Sequence, residues 1–125
     1  MQIIGHELIK FNKFKEVSDV QNLVNFDNVI FKFSEELIKA ALDTNKTFSV
    51  YANSQNEVVL ANALGAKFIV ISNENSFLIQ EAMKYAEYYL FDSKIATIVD
   101  NFDNDLNIAL NLGVDAVIHR AAIVP

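Results

Sequence analysis

From residue 28 onward, short β-branched or aromatic runs alternate with longer runs whose apolar positions recur at helical spacing. The first pattern marks strands and the second amphipathic helices. It predicts five strands, Val29–Phe33, Thr47–Ala52, Lys67–Ser72, Lys94–Val99 and Asp115–His119. Between them it predicts helices over Glu35–Thr44, Gln55–Leu64, Ser76–Phe91 and Asp103–Leu112. Capping residues agree with these starts. Ser34, Ser54 with Glu57 three residues on, Asn73 or Asn75, and Asn101 or Asp103 are the types whose side chains accept from the first free helical amides.

The pattern also repeats. Leu-Gly-Ala-Lys-Phe-Ile-Val-Ile at 64–71 returns in degenerate form as Leu-Gly-Val-Asp-Ala-Val-Ile-His at 112–119. In each copy a glycine closes a helix and a strand follows within two residues. The phrase resembles the helix-to-strand joints of phosphate-binding βα barrels. It is short, it arises wherever a helix feeds a parallel strand, and it brings no catalytic residue with it.

Residues 1–27 break the rhythm. Ile3, Ile4, Leu8 and Ile9 around Gly5 suit a short strand or hairpin, and Ser18 suits the cap of a helix through Phe26. This segment is either an arm over a sheet edge or an additional βα unit that brings a sixth strand. No Pro- or Gly-rich linker separates it, so residues 1–125 read as a single α/β domain. Short connections between strand, helix and strand favour a mostly parallel sheet. A three-layer αβα arrangement with flavodoxin-like 2-1-3-4-5 order closes its core within the monomer and is the preferred expectation. A half (βα) barrel in sequential order is the alternative, since Phe68-Ile69-Val70-Ile71, apolar on both faces, suits a central strand of either.

Composition narrows the chemistry. With 52% hydrophobic residues and a mean hydropathy of +0.20 the chain can fill a core. Ten Lys and Arg against 16 Asp and Glu give a net charge of -6, which on average repels nucleic acid and anionic membranes. Lys10, Lys13 and Lys15 form the one close basic group, and Glu16 and Asp19 follow at once, as in a solvated segment. There is no cysteine, and therefore no disulfide, thiolate nucleophile or Cys-based metal site. No signal-peptide pattern or membrane-length apolar run occurs, which makes the cytoplasm the expected compartment.

No glycine-rich phosphate loop is present, and no cofactor is expected. The phosphoacceptor receiver domain resembles this chain in length and acidity, but its acidic pair, aspartate and lysine are replaced here by Phe33-Ser34, Ser72 and His119-Arg120. His6 beside Glu7 lacks metal-ligand spacing, so no metal is expected.

Ligands of open parallel sheets bind beyond the carboxyl ends of the strands. That rim brings forward Ser34, Asn53, Ser72, Asn73, Asn101 and Arg120 as candidate ligand-binding residues, several of which also serve as helix caps. Arg120 is the sole arginine, and its planar fork suits a carboxylate or phosphate in a way lysine cannot copy, a surface ion pair with Asp100 being the alternative. His119 with Asp100 is the candidate catalytic pair. The helix Phe77 to Phe91 has more aromatic area than packing on a sheet requires, with Tyr85, Tyr88 and Tyr89 as the excess. The expectation is a self-associating, non-enzymatic domain, a homodimer through that helix, that takes a small anionic ligand near Arg120. The alternative is a small enzyme using His119 and Asp100 on a phosphorylated or carboxylated metabolite.

Overall fold

The computed structural model describes residues 1–125 as an all-parallel, eight-stranded curled sheet with five α-helices. The strands are β1 (Gln2–Ile4), β2 (Phe14–Glu16), β3 (Asn28–Lys32), β4 (Thr47–Tyr51), β5 (Phe68–Val70), β6 (Lys94–Val99), β7 (Ala116–His119) and β8 (Ile123–Val124). The helices are α1 (Val20–Leu23), α2 (Glu35–Asp43), α3 (Gln55–Ala63), α4 (Ser76–Tyr88) and α5 (Phe102–Leu112), and a 3-10 turn spans Arg120–Ala122. Strand order is β1-β7-β6-β5-β4-β3-β2-β8.

The α/β class and the parallel sheet agree with the sequence pattern, but the preferred 2-1-3-4-5 order does not hold. From β2 to β7 the strands lie in chain order, the sequential half-barrel alternative. The strand count is eight rather than five or six because β1, β2 and β8 are only two or three residues long. Such pieces carry no readable alternation.

Curl follows from how the two faces are filled. Successive strand residues point to opposite faces. Val29 and Phe31 of β3, Ile69 of β5 and Ile95 of β6 join the buried faces of all five helices in one cluster. Ile30, Phe68, Val70 and Ala96 from the same strands join Ile4, Phe14, Ala116, Ile118 and Ala122 in a second cluster to which no α-helix contributes. This concave core is closed by the sheet itself. Phe14 on β2 and Phe68 on β5 fill it, opposite the small residues Ala96 and Ala116. Large-against-small filling is how narrow barrels pack their interiors.

The two edges nearly meet. β8 follows β7 after a three-residue turn yet pairs with β2 at the far side of the sheet. Gly5, just after β1, adopts φ +108°, and a Cβ there would lie 2.8 Å from His119 Cβ and 3.3 Å from Ala122 Cβ. Only glycine combines that backbone conformation with that approach.

Helix starts are capped by the chain itself. Ser34, Ser54, Asn75 and Asn101 accept from Leu37, Glu57, Leu78 and Asp103 amides respectively. Asp19 rather than Ser18 caps the N-terminal helix, which ends at Leu23 instead of reaching Phe26. No helix is long and apolar enough to cross a membrane.

Candidate functional site

Parallel pairing sends the carboxyl ends of all eight strands to one rim. Tyr51 ends β4 with its ring against the concave core, so its hydroxyl emerges at the rim. There it donates a 2.8 Å hydrogen bond to Glu16 Oε1 at the end of β2. Burial, and secondarily the Glu16 carboxylate, push the Tyr51 hydroxyl above the ordinary tyrosine range, against a smaller pull from the Arg120 charge. It is a fixed hydrogen-bond donor rather than a base.

Arg120 follows β7 and Asp100 follows β6, strands that pair up to Val99 and His119. The Arg120 Nε donates to Asp100 Oδ1 at 2.6 Å. Hydrogen bonding to Asp100 raises the guanidinium pKa further, so the group stays cationic at any physiological pH. Its Nη nitrogens make no hydrogen bond within the chain. Both side chains are largely exposed, 65% and 71%, and such pairs contribute at most about 1 kcal/mol.

A recess of about 390 Å³ opens between these groups, and Tyr51, Asn53, Ser72, Asn73, Asp100 and Arg120 supply its polar lining. Asn73 donates from Nδ2 to the Ile98 carbonyl at 3.1 Å, tying the end of β5 to β6. The Ser72 hydroxyl accepts from the Glu74 amide. The Asn53 side-chain amide is exposed and makes no hydrogen bond, while its backbone N–H is taken by Glu57. Unclaimed donors therefore come from Asn53, from the Ser72 hydroxyl, which only accepts, and from the outer side of Arg120.

The remaining rim residues go elsewhere. Ser34 lines a neighbouring recess of about 990 Å³ with Glu16, Lys32 and Tyr51. Asn101 is consumed in capping α5 and lines neither recess. His119 and Asp100 share no hydrogen bond: Asp100 is engaged by Arg120, and His119 Nδ1 accepts from the Ala121 amide at 3.0 Å. The His119 ring stands edge-on to Phe102, 5.1 Å between centroids, with His6 on Phe102 at 6.0 Å. No group of three or more potential metal ligands is assembled.

Tyr51 and Glu16 were not among the residues the sequence brought forward. Tyr51 had a signal, since Thr47, Ser49 and Tyr51 alternate with Phe48 and Val50 and so share the face opposite the helices. Glu16 had none, because its strand is three residues long. No protein-family model matches the chain, and no curated protein is significantly similar to it.

Proposed function

We propose that this chain is a cytoplasmic, non-enzymatic binding domain that takes a small anionic ligand, a carboxylate or a single phosphate, in the rim recess. The observation that carries this reading is the state of Arg120, which is held through Nε by Asp100 while its Nη donors are unclaimed at the recess. A guanidinium held on one side loses less freedom when its other side grips an oxyanion, and two parallel N–H donors match that ligand's geometry. The free Asn53 amide adds a neutral donor.

The surroundings limit what fits. Asp100 and Glu74 line the recess, and Glu16 is bonded to Tyr51 at its edge. A phosphate monoester, close to dianionic at neutral pH, would meet more repulsion from these carboxylates than a monocarboxylate, so of the two the carboxylate is favoured. The helix starts beside the rim are filled by their own caps, which leaves the side chains to do the binding. The His119–Asp100 pair that a catalytic reading would use is not assembled there, since His119 lines no part of the recess and Asp100 is bonded to Arg120.

The test is a thermal-shift panel of small carboxylates and phosphates on the wild type and on Arg120→Ala. A ligand that binds only the native state at a hundred times its Kd adds about 2.7 kcal/mol of stability. The expected result is a shift that is lost in Arg120→Ala. Equal shifts in both proteins, or none from any ligand, contradict the proposal.

A further inference from the structure

Helix α4 buries Leu78, Ile79 and Ala82 against the sheet, and on the opposite side it carries the exposed Phe77, Lys84 and Tyr88 with the half-buried Glu81. At 100° per residue these four fall within an arc of about 60°. Their spacing of four, three and four residues is that of a helix-pairing seam. Phe77 is 65% and Tyr88 79% exposed, unusual for aromatic rings at the two ends of one stripe. Beside α4, helix α3 leaves Val59 and Leu60 exposed as well.

The stripe reads aromatic, acidic, basic, aromatic; reversed, its rings fall in the same places and its two charges are exchanged. A surface with that property is complementary to itself under a two-fold rotation. The geometry points to a homodimer in which α4 packs antiparallel on α4 of a second copy, with Phe77 on the partner's Tyr88 and Glu81 on the partner's Lys84. Each contact occurs twice. Tyr85 then faces the partner's Gln80, and Tyr89 lies over the start of the partner's helix near Ser76. The commitment to a second copy rests on this charge and shape pattern and is independent of what the rim recess binds.

Within one chain Lys84 Nζ is 3.4 Å from Glu81 Oε1. In the dimer both groups turn toward their counterparts and form a four-charge cluster flanked by two aromatic pairs. A 13-residue helix is roughly 20 Å long, so the interface is at the small end of specific contacts and its Kd is expected on the order of tens of micromolar.

Sedimentation velocity across that concentration range, with Glu81→Lys, Lys84→Glu and their equimolar mixture, tests the register. The wild type is expected to dimerise. Each single variant places like charges opposite one another twice and is expected to dimerise about tenfold more weakly or worse. The mixture restores complementarity at all positions and is expected to recover dimer formation, with unchanged far-UV circular dichroism throughout. A wild type that stays monomeric overturns the proposal and leaves the stripe to a foreign partner. Dimers indifferent to the charge changes, or a mixture that fails to recover, overturn it as well.

Discussion

The ring of Phe14 lies 5.8 Å from that of Phe68 at an interplanar angle of 75°, although β2 and β5 are three places apart in the sheet. In a flat sheet that separation is about 14 Å. The contact therefore measures the curl, and it sits at the centre of a core built without α-helices. Phe14→Ala removes a fully buried ring from a space that cannot collapse without uncurling the sheet. It is expected to destabilise the protein by about 3–5 kcal/mol in urea titration. Phe77→Ala, which removes an exposed ring, is expected to stay within about 0.5 kcal/mol when measured at concentrations where the chain is monomeric.

Gly5 and Gly65 separate strain from space. Both have positive φ, +108° and +95°, but only Gly5 faces a side chain closer than 3 Å. Gly65→Ala is expected to cost about 1 kcal/mol, the backbone penalty alone. Gly5→Ala adds a collision with His119 where the two sheet edges approach, and its cost should exceed that of Gly65→Ala by at least about 1 kcal/mol. Denaturant midpoints of the two variants give the comparison directly.

The sequence pattern located β3 to β7 and α2 to α5 to within about three residues, because each strand falls within an apolar or β-branched run bounded by turn residues and each helix carries a capping residue at its start. Sheet order was illegible for a physical reason. Phe68-Ile69-Val70 is apolar on both faces whether the second face is covered by helices or by the sheet's own curl. The alternation of small and large residues, Ala96 and Ala116 against Phe14 and Phe68, carries the curl, yet it emerges only once Phe14 is known to lie in a strand. At the rim, Arg120, Asp100, Asn53, Ser72 and Asn73 come together as the strand ends implied. The sequence offered both His119 and Arg120 as partners for Asp100, and the choice of Arg120 depends on the turn after β7, which the pattern does not encode.

Tyr51 gives the rim a pH signature. Its folded pKa is raised, so the folded state holds the hydroxyl proton more tightly than the unfolded chain, whose tyrosines titrate near pH 10. The associated stability is fully present below about pH 10 and is lost as pH rises further. Absorbance at the phenolate band should show one of the four tyrosines lagging beyond the ordinary range, a component absent in Tyr51→Phe. Alkaline unfolding of Tyr51→Phe should depend less steeply on pH than that of the wild type.

Arg120→Ala is expected to change stability by no more than about 1 kcal/mol, because the pair with Asp100 is exposed on both sides. Thermal melts without ligand check this. A near-neutral variant makes the loss of a ligand-induced shift a statement about binding rather than folding.

The most direct measurement uses the fact that the chain has a single arginine. Its Nε–H gives one side-chain resonance in a ¹⁵N-correlated spectrum, identifiable without assignment, and the same proton is the one donated to Asp100. Titration with a stabilising carboxylate or phosphate is expected to move that resonance in saturable fashion, with the Asn53 side-chain amide moving at the same concentrations. A ligand that stabilises the protein while leaving the arginine resonance in place would contradict the rim recess as its site.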